Sequence, residues 1–172
     1  MSTPSTTDLA TTCSHVVGEE RLARFSEVET EVWIGLLETH KRLTRALNAE
    51  LEAEHGLTLS AVELLGRLSA AENKVLRLTD LAERAGLSLS RVSRIVDALE
   101  ARGLVERRLC PNDGRARNAG LTPAGAEVLE AAQATHFAGV QESFFARVEP
   151  GELAALAAVF GRLAPGAAVS CT

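Results

Sequence analysis

The chain contains no tyrosine, one tryptophan and one methionine, and aromatic residues make up only 3% of it. So small a supply argues against a stacking platform for single-stranded nucleic acid, which needs an aromatic face for each successive base. Lysine is nearly absent, at Lys41 and Lys74, while arginine is frequent; genomic base composition accounts for that bias without a mechanism. Cys13, Cys110 and Cys171 share no paired spacing, which suits a reducing cytosol and a cytoplasmic protein. No apolar run approaches the roughly 20 residues of a spanning helix, so no membrane partner is expected. The first thirty residues lack a positive start and a continuous apolar stretch, which argues against a signal peptide. A phosphate-binding glycine loop, a zinc-peptidase histidine pair and a serine elbow are also missing. Cys13-Ser14-His15 is too small a cluster for structural zinc, which needs four ligands. No enzyme, cofactor or metal is therefore expected.

What is present is a hydrophobic content of 46% in 172 residues, enough to bury a core. The length fits one domain, or one small domain with a docking segment. The net charge is −5, but it is unevenly spread. From Arg84 to Arg117 there are eight Arg against two Asp and two Glu, a local excess of four positive charges in a chain whose remainder is net −9. A basic surface on an otherwise acidic chain implies a dedicated phosphate-facing element.

The order of elements follows from caps and periodicity. Residues 1–20 are rich in Ser and Thr without periodicity and read as a tail. Ser26 with Glu29 forms a capping box. From there Val32, Leu36, Leu43, Leu47 and Leu51 recur at helical spacing to about Glu54, and His55-Gly56 ends the helix. Ser60 with Glu63 forms a second capping box, and Leu59 with Leu64 has the spacing of a hydrophobic staple; that helix should run to about Ala71. Thr79 is expected to cap a short helix ended by Gly86. Ser88 should cap the next, whose apolar face is Val92, Ile95, Val96 and Leu99. Leu104–Leu109 and residues 116–121 read as two strands around the turn Pro111-Asn112-Asp113-Gly114. Thr122-Pro123 opens a long helix to about Val148, and Pro150 opens a last one carrying Leu153, Leu156, Phe160 and Leu163. There is no internal repeat, and residues 165–172 read as a second tail.

A helix, a tight turn, a second helix and a basic hairpin suit double-stranded DNA. A major groove about 12 Å wide admits one helix, and a supporting helix behind it sets the angle. With Val92, Ile95, Val96 and Leu99 facing the core, Ser90, Arg91, Ser93 and Arg94 lie on or near the opposite face. Small hydroxyls allow close approach to phosphates, and Arg can bond guanine bidentately. The hairpin carries Arg107, Arg108, Arg115 and Arg117, and an Arg at its tip can reach a narrow minor groove. The same pattern also occurs in all-α proteins with a merely solvated basic face.

This stretch resembles the MarR family of bacterial winged-helix regulators. The resemblance rests on Ser60 through Leu65, on Leu78-Thr79-Asp80-Leu81-Ala82, on Leu87-Ser88, on Val92 through Asp97 and on Leu99 through Arg107. It continues in Asp113-Gly114-Arg115, which matches the family's Asp-x-Arg wing signature, and in Leu121-Thr122-Pro123-Ala124-Gly125. In order along the chain it covers residues 27 to 163. It implies a mostly α fold with a small β-hairpin wing: a winged helix-turn-helix lobe at 57–122, flanked by dimerisation helices at 21–56 and 123–164. It further implies a homodimer, which would cover the large apolar stripes of the flanking helices, bound to a pseudo-palindromic operator with half-sites about 10 bp apart.

By the same resemblance Arg94 is the base-reading arginine, and Ser88, Ser90 and Ser93 contact phosphates or bases. Arg91 stands where relatives often have Ser or Thr and adds a contact of this chain's own. The wing departs from the family pattern, because Gly114 stands where many members have a basic residue. Either Arg115 enters the minor groove, or it pairs with Asp113 while Arg117 does the reaching; we take Arg115 as the tip contact. The resemblance also implies repression released by a small molecule, often an aromatic acid or phenol, with Trp33, His40, Glu63 and Arg107 as candidate lining residues. Some relatives that answer urate-like ligands carry an acidic residue and arginines at the positions of Glu63, Arg94 and Arg107. Against that, the capping box already accounts for Glu63, packing for Trp33, and a hydrogen-bonded interface for His40. Two other readings stay open: redox sensing through Cys13, and a winged helix that binds only protein.

Overall fold

The computed structural model describes residues 25–164 except 111 and 112, and the side chains there except those of residues 109–116. The expected tails at 1–20 and 165–172, and with them Cys13 and Cys171, lie outside the described residues. The chain divides into two compact units, one ending at Arg45 and the other beginning at Ala46. Helix α1 (Glu27–His55) contributes to both.

In the first unit α1 starts as the capping box requires. The Ser26 backbone N–H donates to Glu29 Oε2 at 2.8 Å, and the Glu29 N–H donates back to Ser26 Oγ at 3.3 Å. The hydrogen bond from the Ser26 backbone, reinforced by its hydroxyl, holds the Glu29 carboxyl below the usual carboxylate range. A depressed carboxyl supports the helix end at neutral pH and loses that support as pH falls through its folded value. The apolar stripe of this part of α1 stands in solvent: Val32 is 66% exposed, and Val28 and Leu36 are exposed as well.

The second unit holds the core. It comprises the end of α1, then α2 (Leu59–Ser69), β1 (Val75–Arg77), α3 (Leu78–Ala85), α4 (Leu89–Ala101), β2 (Val105–Cys110), β3 (Asp113–Leu121), α5 (Pro123–Ser143) and α6 (Leu153–Leu163). Leu51, Leu64, Leu65, Leu68, Leu81, Val92 and Val96 are fully buried and join α1, α2, α3 and α4 in one cluster. Truncating any of these leucines to Ala would remove about 2–5 kcal/mol. The sheet is antiparallel in the order β1-β3-β2. Val105 pairs with Leu121, Arg107 with Ala119 and Leu109 with Arg117, and a register shift follows between Leu109 and Cys110.

Several local expectations are corrected. The cap of α2 is Thr58, whose hydroxyl accepts from the Ala61 N–H at 3.1 Å, not Ser60. Gly56 turns the chain with a φ of +61° and Leu57 is buried, so the helix starts as soon as an oxygen-bearing side chain follows. Glu63 is thereby released from the expected capping box and pairs with Arg67 at 2.8 Å, one turn on. Thr79 does not cap α3, because β1 runs straight into the helix and Arg77 takes the cap position. Instead Thr79 bonds Asp80 at 3.1 Å. The long helix α5 stops at Ser143, and a 3-10 turn at Phe145–Arg147 follows. Ser88 and Thr122 do cap α4 and α5, with Pro123 in the first turn of α5.

The link between α2 and β1 carries two non-glycine residues in the left-handed region, Asn73 at φ 54° and Lys74 at φ 56°. A left-handed lysine costs about 1–2 kcal/mol. Lys74→Gly is therefore expected to raise the unfolding free energy by about 0.5–1 kcal/mol, net of the added chain entropy. Urea denaturation at unchanged slope checks this; a destabilised variant would show that the Lys74 side chain carries packing.

Candidate nucleic-acid interface

The helix-turn-helix is built from α3, Gly86 and α4. Gly86 adopts φ +62°, and the backbone N–H groups of Gly86 and Leu87 close on the last carbonyls of α3. The Ser88 hydroxyl then accepts from the Arg91 N–H at 3.3 Å and starts α4. Val92, Val96 and Leu99 are buried and fix the rotation of α4. Ser90, Arg91, Arg94, Asp97 and Ala98 face outward in consequence.

The arginines of this region divide by what they touch. Arg94 and Arg84 are exposed and have no partner among the described residues. Arg91 donates to Ser60 Oγ at 3.3 Å. Arg102 donates to the carbonyls of Gly56 at 2.7 Å and His55 at 2.9 Å, so it caps the end of α1 from the end of α4. Arg108 is held on its own strand by Glu106, two residues back on the same face. Arg107 lies on the inner face of β2 and reaches α4. Its Nη2 donates to the Ser93 carbonyl at 3.3 Å, Ser93 Oγ at 3.1 Å and Asp97 Oδ1 at 2.5 Å. Its Nε is 3.4 Å from Glu100 Oε2, and its backbone N–H donates to Glu100 Oε1 at 3.1 Å.

In the wing, Arg117 is exposed and has no partner among the described residues. The side chains of Arg115 and Cys110 lie outside the described residues, and with them the choice between Arg115 and Arg117 as the tip. A cleft of about 460 Å³ lies on the other flank of α4. Arg91, Arg94 and Arg102 border it, and Leu57, Ala61, Ile95 and Ala98 supply apolar walls.

The central part of the chain, residues 55–116, matches the family model described as MarR family. The crystal structure of Sco3205, a MarR family transcriptional regulator from Streptomyces coelicolor in complex with DNA, aligns with a TM-score of 0.75 at 32% identity, covering 85% of this chain and 91% of that one. The chain belongs to the MarR family. AbsC, a second MarR family regulator from S. coelicolor, aligns with a TM-score of 0.73 at 31% identity over 82% of this chain and 95% of its own. Wild-type MarR from E. coli in its apo form shares the fold, with a TM-score of 0.65 at 24% identity over 76% of this chain and 93% of its own. No curated protein matches.

Within this MarR-family fold, Ser88, Ser90, Arg91, Ser93 and Arg94 come together on the first two turns of α4, as expected from the pattern. They are not equivalent. The Ser88 and Ser90 hydroxyls lie 3.2 Å apart, and Ser93 is engaged by Arg107. The four candidate ligand residues are not gathered in the second unit: Glu63 pairs with Arg67, Arg107 with α4, and neither lines the cleft. Trp33 and His40 are exposed residues of the first unit. The contacts of Asp97 and Glu100 with Arg107, and of Arg102 with the end of α1, were not among the expectations from the sequence. The signal for the first two was legible: β alternation puts Arg107 on the side of buried Val105, and Ser93, Asp97 and Glu100 recur on one face of a helix. Among the described residues no helix is long and apolar enough to cross a membrane, and no cluster of metal-ligating side chains forms.

Proposed function

We propose that the chain is a homodimeric, sequence-specific, double-stranded-DNA-binding transcriptional regulator, a repressor released by a small ligand. The observation that carries this reading is Arg94, exposed and without a partner among the described residues on the outward face of the recognition helix α4, in a chain 32% identical to a regulator crystallised with DNA. Its guanidinium is available for a guanine edge, while Arg117 in the wing is available for phosphate or minor groove.

The support for a homodimer is the apolar surface left uncovered. In α6, Leu153, Val159, Phe160 and Leu163 are all exposed, and Phe137 on α5 is 63% exposed. In the first unit Val28, Val32 and Leu36 are exposed too. Large apolar side chains left exposed on helices in this way mark an interface, and a second copy offers the same stripes in return. The support for ligand release is the cleft beside α4: an apolar body fits its walls, and an anionic group would take Arg94 from DNA.

The test is a titration of the full-length protein against its own upstream region at two salt concentrations. DNA binding gives a slope of about −0.9 in log affinity against log salt for each phosphate neutralised; a protein-binding winged helix gives no such loss. Phe160→Asp should yield a monomer in sedimentation and weaken DNA binding by about 10²–10⁴, the advantage of linking two half-sites. Repeating the titration with benzoate present addresses release: weaker binding supports it, and unchanged binding points to a regulator that answers no such acid.

A further inference from the structure

We infer that Arg107 is a positioning residue for DNA recognition: it fastens the wing to the recognition helix so that both meet DNA as one preformed surface, without touching DNA itself. The inference rests on the DNA-binding reading above.

The geometry is that of a staple. One side chain from β2 touches α4 at Ser93, Asp97 and Glu100, which lie one turn apart on a single face. The Arg107 side chain is only 18% exposed, so it is turned toward the helix and away from a surface that DNA could approach. Its partners explain an otherwise costly feature of α4. Asp97 and Glu100 are carboxylates on a helix whose neighbouring turn carries Arg94. Facing a polyanion, such carboxylates oppose binding by like-charge repulsion. Paired with Arg107, whose single positive charge offsets one of their two negative ones, they serve as anchor points for the wing.

Two consequences follow for the reading surface. The Ser93 oxygen accepts from Arg107, which fixes the hydroxyl beside the wing and leaves its proton free to be donated to a phosphate. The angle between α4 and the β2–β3 hairpin is set before DNA arrives, so the ordering cost of engaging a major and an adjacent minor groove together is reduced.

The sign of one substitution tests this. The probe is the tightest duplex that the wild-type dimer selects from a randomised library, and affinity is measured by competition at one salt concentration. Asp97→Ala deletes a negative charge and improves helix propensity at an exposed site, so the fold is kept. If Arg107 positions the wing, Asp97→Ala weakens binding by about threefold or more despite the favourable charge change, and Arg107→Met weakens it by roughly tenfold, the scale of one lost charge-assisted hydrogen bond. The double variant Asp97→Ala/Arg107→Met should then bind no worse than Arg107→Met alone, because both remove the same contact. An Asp97→Ala protein that binds as tightly as wild type, or more tightly, overturns the positioning role. So does strict additivity of the two losses. A wild type that selects no duplex overturns the DNA-binding reading and takes this inference with it, whereas the first two outcomes leave that reading standing.

Discussion

Arg94→Ala is expected to weaken binding to the preferred duplex by about 2–6 kcal/mol per dimer, since each bidentate base contact contributes roughly 1–3 kcal/mol of discrimination and a two-fold complex contains two of them. The guanidinium is exposed and tied to nothing among the described residues, so its removal leaves no buried partner unpaired and the fold should be unaffected. The distinguishing outcome is selectivity. Competition with duplexes altered at single positions should show preference lost at one position per half-site and kept at the others. Arg91, by contrast, already spends one donor on Ser60 at 3.3 Å, and its replacement should lower affinity more evenly across sequences. Undiminished discrimination in Arg94→Ala would move the base-reading role to another side chain.

Much of this surface could be read without coordinates, and the reasons are physical. Ser88 and Thr122 cap their helices because each precedes an apolar repeat at the spacing a cap requires, and that spacing is local information. The basic hairpin was legible because turn chemistry and strand residues lie side by side. The failures share the opposite property. Strand β1 is three residues long and exists only because β3, some forty residues later, offers a free edge to Val75, Leu76 and Arg77. Thr58 displaced Ser60 as the cap because the burial of Leu57 fixes where the chain re-enters a helix, and burial is set by the whole core. The division of the arginines is likewise non-local. Composition counts eight cations alike, but Arg102 caps a helix forty-six residues upstream through Gly56, Arg107 staples the wing, and Arg108 is held by Glu106. Arg84, Arg94 and Arg117 have no partner among the described residues, and that distinction needed contacts.

The same non-local logic gives the largest expected effect on stability, at Gly125. A Cβ added there would lie 2.0 Å from the carbonyl oxygen of Leu104 and 2.8 Å from Leu121 Cδ1. The nearest atom belongs to the backbone, so no side-chain rotation can relieve the clash. The backbone in question is also held: the Leu104 carbonyl accepts from the Thr122 N–H at 3.2 Å, and the Thr122 hydroxyl donates to the Gly103 carbonyl at 2.8 Å. The start of α5 is thus docked directly on the turn that leads from α4 into the wing. Gly125→Ala must either push α5 away or distort that turn, at a cost of about 3 kcal/mol or more, which is the upper range for overpacking. Against a total stability of about 5–15 kcal/mol, this should lower the melting midpoint by roughly 6–12 °C. The control is Gly66→Ala, inside α2 with nothing within 4 Å of the new methyl. It should be neutral or stabilising by up to about 1 kcal/mol, since only helix propensity changes. Thermal and urea unfolding of both variants decide the matter: a Gly125→Ala protein as stable as the Gly66→Ala control would mean that α5 and the wing turn are not packed as closely as their carbonyl contact requires.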